Sequence, residues 1–411
     1  MTNILETLYK AFDANSDKIE KFFKDEFLKS PALIYNSCDL RHSGFKICPI
    51  DTNCFPAGFN NLGEESKKFA KEIANKFFAD NFGSAKKIII IPENHTRNLR
   101  YLANVLDLAE ILSDSKKVVI GTLLTDIEDK TILEVDEHKK IELVKLRKIN
   151  GRIQTIDGFE ADLIVLNNDL TDGIPEILQN LETPINPSIN LGWFKRTKSD
   201  HFDIYNDLAT KLSAQINIDP WLISTIHTSC AEVNFKSQEG FDRLAVKVDE
   251  TIALIKEKYY QFGIEDEPYV YVKADNGTYG MAIWQVSSGQ EVLNINKKNR
   301  NKMNMIKGSI QNTKVLIQEG VKTIDRINGH FAEPMTYLIN SIVIGNLFRV
   351  NESRDEKSSL NAPGASFYDL RNLNNDKITL GISKEKVSLI YSVIAKLAAL
   401  STSVENQKII K

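Results

Sequence analysis

The 411-residue sequence has no uninterrupted apolar stretch of about 18 residues, which argues against a membrane span. Its first residues, MTNILETLYKAFDANSDKIEKFF, are acidic and amphipathic and lack the basic start and continuous apolar core of a secretory signal. The chain has only four cysteines (Cys38, Cys48, Cys54, Cys230), with no C-x-x-C pair and no histidine at zinc spacing. Reduced thiols in a cytoplasmic protein are therefore expected, with the cysteines serving packing rather than catalysis. A net charge of −3 speaks against a nucleic-acid partner, which would call for a basic excess. There is no G-x-x-x-x-G-K-[ST] run, no G-x-G-x-x-G and no H-R-D, so P-loop, dinucleotide-fingerprint and protein-kinase readings lose their support. No repeat or low-complexity linker divides the chain.

What is present is an ordinary soluble balance, 42% hydrophobic and 26% charged, long enough for two or three cores. The stretch YVYVKADNGTYGM (269–281) stands out. Its apolar alternation predicts a buried strand, which Lys273 interrupts before a loop with two glycines. A lysine there needs an anionic partner, and a glycine loop can offer backbone N–H groups to phosphate. A hairpin turning at Asn276-Gly277, with Lys273 at its edge, fits the same residues.

Helices are expected over residues 1–29, 64–82, 98–113, 203–215, 239–262, 290–303 and about 384–402. Strands are expected at 32–35, 45–50, 86–92, 118–123, 162–168, 281–286 and 314–321, with a hairpin from 335 to 350 turning near Asn340-Ser341. Alternating strands and helices predict an α/β layer with sites at strand C-termini. Glu93, His95 and Arg97 fall at one such end and Asn167, Asn168 and Asp169 at another, as helix caps or as ligand contacts. The segment DLRHSGFKICPIDTNCFPAGFNNL (39–62) sets Asp39, Arg41, Lys46, Asp51, Asn53, Asn60 and Asn61 among prolines and glycines. It reads either as a ligand loop, with Arg41 and Lys46 holding carboxylates and Asp39 or Asp51 an ammonium, or as a surface loop with internal Asx turns. The NLGWFKRTKSDHF block (190–202) gathers Lys195, Arg196 and Lys198 around Trp193, Phe194 and Phe202, which suits nucleic acid or a phosphorylated small ligand, the acidic net charge favouring the second.

The order of parts, a lysine strand, a glycine loop, QEGV (318–321), AEPMTYLI and FRVNESRDEKSSLNAPG (348–364), resembles the ATP-grasp ligases. More closely, the chain is similar to the proteobacterial-type glutamate–cysteine ligases, over segments spread in order from about residue 31 to 370. The resemblance implies an α/β (α+β) fold, with a pre-ATP-grasp-like domain at 1–235 and an ATP-grasp domain with a C-terminal helix at 236–411. It implies that Lys273 contacts the phosphates of ATP and that Asn276, Gly277, Thr278, Tyr279 and Gly280 belong to a closing loop. Gln318, Glu319 and Val321 would form the adenine hinge, with Glu319 or a backbone group taking the exocyclic amine. Arg349 would face the γ-phosphate. Glu333 and Asn361 would hold magnesium, with Glu352 or Asp355 as other acids. Asp39, Arg41, Lys46, Asp51, Asn53, Asn60 and Arg196 would hold amino acid. The late metal-binding strand of many ATP-grasp ligases is not expected, since only a loop and a helix follow Gly364.

The activity implied is formation of γ-L-glutamyl-L-cysteine from L-glutamate, L-cysteine and ATP through a γ-glutamyl phosphate, the first step of glutathione synthesis. Another acid–amine pair, or a non-catalytic nucleotide switch, are the alternatives. The sequence leaves the oligomeric state open, a homo-oligomer included.

Overall fold

The computed structural model describes residues 3–276, 283–304, 313–374 and 377–410. Three sheets organise these residues, and helices and sheets mix as the α/β expectation requires.

The first is mainly parallel. The run of four isoleucines in Lys87–Pro92 makes a strand with no solvent face, flanked in parallel by Lys117–Thr122 and Leu163–Asn167. The helices Glu64–Asn81 and Leu99–Leu112 cover one side through Ile73, Phe77, Leu108 and Ile111. Strands at Lys130–Glu134, Lys140–Ile149 and Arg152–Thr155 extend this sheet and were not foreseen. Their short, charge-interrupted sequences leave half the side chains in water.

The second sheet is antiparallel, in the order Ser366–Asp369, Ile342–Val350, His330–Ile339, Tyr35–His42, Ile47–Asn53. It therefore joins strands from both sides of residue 235. The hairpin between its two longest strands turns at Asn340 and Ser341, both at positive φ (49° and 62°), the geometry of a two-residue turn. Two expectations are corrected here. The polar stretch 36–44 is mostly strand, and residues 35–43 are buried despite their polarity. The chain after Gly364 also supplies a strand, Ser366–Asp369, paired to the Arg349 strand.

The third sheet has four antiparallel strands, His227–Cys230, Val315–Glu319, Val270–Ala274 and Ile283–Val286, backed by the helix Phe241–Phe262. Lys273 lies on the Val270–Ala274 strand of this sheet, as the interrupted apolar run predicts. The basic-faced helix expected at 290–303 is two short helices, Gly289–Leu293 and Lys297–Met303.

The C-terminal helix, Lys384–Ile410, meets the length and hydropathy of a membrane span over Lys384–Lys408, contrary to the reading that no such stretch exists. It is a core helix here. It packs on the helices Ile4–Ala14, Ser16–Lys29 and Lys198–Ile216 and on the antiparallel sheet, with Ile390, Ile394, Leu397 and Ala398 fully buried.

Candidate active site

Side chains alternate faces along a strand, so Ser37, Asp39 and Arg41 share one face while Cys38, Leu40 and His42 take the other. Cys38 and Leu40 pack into the core that contains the C-terminal helix. The opposite face carries the polar set, because register places Asp51 across from Asp39, Asn53 across from Ser37, and Arg349 across from Glu333. Between this face and the C-terminal ends of the parallel strands lies a cavity of about 610 Å3. One wall is Ser37, Asp39, Asp51, Asn53, Met335, Tyr337 and Arg349; the other is Glu93, His95, Asn167 and Asp169 with Asn98, Arg100, Tyr101 and Asn104. Asn60, Asn61, Trp193, Asn361 and Phe367 also line it. Gly58 sits at its edge at φ +108°, where a Cβ would come within 2.4 Å of the Tyr337 hydroxyl.

The ionic network around this cavity is dense and nearly balanced. Arg349 donates Nη1 to Asp39 Oδ2 (3.1 Å) and to Glu333 Oε1 (2.5 Å). Asp39 Oδ1 and Arg349 Nε have no hydrogen-bond partner and are buried. Burial raises the Asp39 carboxyl pKa against the pull of Arg349. Arg41 holds Glu333 Oε2 through Nε and Nη2 (3.2 and 3.1 Å) and spends its remaining donors on Tyr271 and the carbonyls of Val321, Glu356 and Ser358. Lys46 pairs with Glu319 at 2.8 Å, both fully buried, under the ring of Trp221. Arg196 pairs with Glu405 of the C-terminal helix (2.7 Å) and donates to the Thr52 carbonyl (2.7 Å). His201 bridges the same Glu405 and Thr52 Oγ1. Lys198 pairs with Asp51 at 2.6 Å. Burial opposes ionisation of Asp51, yet Lys198 beside it holds its pKa down to about 2.

Lys273 is the exception. Among the described residues six lysine and arginine side chains are buried, and five of them have an acid within ion-pair distance. The Lys273 ammonium has only neutral acceptors, Gln318 Oε1 at 2.7 Å and the Ile50 carbonyl at 3.3 Å. Burial pushes its pKa down to about 8, with Asp51 the nearby charge that opposes the shift. A buried cation with no counter-ion either takes up an anion or shifts its pKa toward the neutral form.

The structure brings Asp39, Asp51, Asn53, Asn60, Arg349 and Asn361 to the cavity and keeps Lys273 close to Asp51. It does not bring the others there as expected. Arg41 and Lys46 are not poised for substrate carboxylates, since each is buried against its own acid. Arg196 serves Glu405 rather than a ligand. The carboxylate of Glu319 accepts from Lys46, Trp221 Nε1 and the Ile226 N–H, so it does not offer itself to adenine. The backbone N–H groups of Glu319 and Gly320 and the carbonyl of Val321 are likewise used within the protein. Gln318 joins Lys273 to Thr225. Both oxygens of Glu333 are occupied by guanidinium groups, and Asn361 is not beside it in any described contact. Among the described residues no group of three His, Cys, Asp or Glu side chains could hold a metal ion. Gly277, Thr278, Tyr279 and Gly280 lie outside the described residues, next to Asn276. The chain entering that loop is fixed by Asp275, whose carboxylate accepts from Ser199 and Lys314.

Sequence reasoning flagged Glu93 and Asp169 as strand ends but passed over Arg100 and Asn104. Their signal was four-residue spacing on one face of a mostly apolar helix that starts at a sheet's C-terminal edge.

Paired charges line this cavity, beside a buried ammonium without an acid. A family model described as GshA, glutamate–cysteine ligase, matches residues 10–406, and the chain belongs to that family. A solved structure from Methylobacillus flagellatus KT, a protein provisionally named gamma-glutamylcysteine synthetase, is 36% identical with a TM-score of 0.90, over 99% of this chain and 97% of that one. D-alanyl-alanine synthetase A from Vibrio cholerae O1 biovar eltor str. N16961 aligns at 11% identity and TM-score 0.36, over 76% of this chain and 79% of that one. A glutathione synthetase-like effector from Globodera pallida aligns at 8% identity and TM-score 0.40, over 85% and 83%. At those scores neither bears on the argument. No curated protein matches the chain.

Proposed function

We infer that this chain joins the γ-carboxylate of L-glutamate to the amine of L-cysteine at the expense of ATP, as its family membership supports. The observation that carries the site assignment is Lys273, buried and without a carboxylate partner. A carboxylate and an amine do not condense unaided in water. Transfer of the γ-phosphoryl group to the glutamate carboxylate forms an acyl phosphate, and the cysteine amine then displaces phosphate with loss of a proton. Both steps crowd anions together, so the protein must supply preorganised positive charge. Lys273 fits contact with the phosphates of ATP. Arg349, whose Nε is unused, fits the oxygens of the transferring group, and Asp39, whose Oδ1 is unused, fits the N–H of the incoming amine.

Magnesium, when bound, would screen the triphosphate, usually with one or two protein ligands and several waters. The expected pair of Glu333 and Asn361 does not fit it, because Arg41 and Arg349 hold both Glu333 oxygens. Asn361, which lines the cavity, remains the one candidate of that pair, and no step is assigned to the metal.

A cytoplasmic, nucleic-acid-free setting is supported by four buried free cysteines and by the acidic net charge of −3. The test is incubation with ATP, magnesium, glutamate and cysteine, followed by mass measurement of the product. Phosphate release that requires both amino acids, with the mass of the dipeptide, is expected. Release with a different pair, or ATP binding without release, would overturn the assignment.

A further inference from the structure

The cavity wall built by the parallel sheet has no role in the chemistry above. It is made by Glu93 and Asp169 at strand C-termini and by the start of the helix Leu99–Leu112. Asn98 caps that helix through Tyr101 N–H, which leaves the positive end of its dipole at the cavity. Asn104, 1% exposed, accepts at Oδ1 from the N–H groups of Gly58 and Phe59, while its Nδ2 has no hydrogen-bond partner. An orphaned amide donor in a cavity wall marks a place where an acceptor is expected. Arg100 supplies a cation at the mouth, steadied by a bond from Nη1 to the Ala365 carbonyl (3.3 Å). Glu93 supplies the anion, its Oε1 accepting the Asp169 N–H at 2.5 Å.

We infer that Glu93, Arg100 and Asn104 form a subsite for the α-ammonium and α-carboxylate of the acid substrate, and that this subsite selects its side-chain carboxylate for activation. The inference rests on the amino-acid ligase reading above. Opposite charges lining one cavity match the head of a zwitterion, the carboxylate toward Arg100, Asn104 and the helix end, the ammonium toward Glu93. Placement decides which end reacts. Ala365 precedes Ser366 and Phe367, which pair with Val350 and Arg349, so the Arg100 anchor stands two residues along the neighbouring strand from Arg349. By strand spacing that is roughly 8 Å between backbone positions. Glutamate places three carbon–carbon bonds, each about 1.5 Å, between its α-carbon and its distal carboxyl carbon. A head held at Arg100 thus sends the distal carboxylate toward Arg349 and keeps the α-carboxylate away. For cysteine the reacting amine is on the α-carbon itself, so its carboxylate must stay near the reaction centre and is not the one taken by Arg100.

The experiment is calorimetric binding of L-glutamate, of 4-aminobutanoate (no α-carboxylate) and of glutarate (no α-ammonium) to the wild type, Arg100→Ala and Glu93→Gln. Arg100 is exposed, so its truncation spares the fold. The expected result is that Arg100→Ala weakens glutamate about 10- to 100-fold and leaves 4-aminobutanoate within about threefold, collapsing the preference between them. Glu93→Gln should do the same for glutamate against glutarate. Michaelis constants for ATP and cysteine should hold. Parallel losses for glutamate and 4-aminobutanoate, or a rise confined to cysteine, would overturn the subsite. Absence of dipeptide from the wild type would instead overturn the reaction, since the binding ratios are read without turnover.

Discussion

The Lys273 ammonium donates to Gln318 Oε1 at 2.7 Å, so the buried cation of this site rests on a neutral amide. Gln318 in turn donates to Thr225 Oγ1 at 3.2 Å, which fixes the amide in place. An incoming phosphate oxygen can replace such a partner without breaking an ion pair. That is the physical difference between Lys273 and Lys46, which is locked to Glu319.

Lys273→Met should therefore lower turnover at least about 100-fold by removing charge from the transfer site. Thermal stability should be equal or higher, because a poorly compensated buried charge has gone. Steady-state kinetics and a melting curve check both. Near-normal turnover would remove Lys273 from the phosphate site.

The lysine also sets a pH dependence. Its folded pKa of about 8 lies below the ordinary 10.5, so between these values the unfolded chain binds more protons. Stability of the nucleotide-free enzyme should rise across that window relative to Lys273→Met, by a few kcal/mol in order of magnitude. Nucleotide affinity should fall as pH passes about 8, since the anion needs the charged form. Denaturant titrations at pH 7 to 10.5 on both proteins read the difference.

Arg41→Ala should unfold the protein more readily rather than weaken an amino acid. The guanidinium is 2% exposed and holds one side of Glu333, and breaking such a buried pair costs about 3–5 kcal/mol. The midpoint of urea unfolding measures it. An unchanged midpoint with a raised Michaelis constant for glutamate would return Arg41 to the substrate site.

Glu405→Gln should flatten the acid limb of stability. Burial disfavours the Glu405 carboxylate, but Arg196 and His201 hold its pKa at about 2, below the ordinary 4.5. Its stabilisation is complete above 4.5 and is lost as pH falls toward 2. Because Arg196 and His201 grip Thr52 between Asp51 and Asn53, the substitution should also raise the Michaelis constant for an amino acid more than that for ATP. Equal changes in both constants would argue against this link to the cavity.

Much of the fold was legible because its signals are local. The apolar runs 86–92 and 162–168, the helix stripe from Phe69 to Phe78 and the turn at Asn340-Ser341 are set by side-chain period and turn chemistry within a few residues. Lys273 was legible too, as a charge interrupting an apolar strand. The strand at 36–42 was hidden because its cavity face is polar, so burial there is bought by partners distant in sequence.

Those partners are what only the tertiary structure decided. Arg41 meets Glu333 across 292 positions and Arg196 meets Glu405 across 209. From the chain alone each arginine is simply a cation able to hold a carboxylate. Whether that carboxylate is a substrate's or the protein's own depends on which strands pair, and sheet register is fixed by contacts that no local pattern contains. The sequence thus determined that a lysine interrupts an apolar strand, and the packing determined that Lys273, alone of the six buried cations described, rests on neutral acceptors instead of an acid.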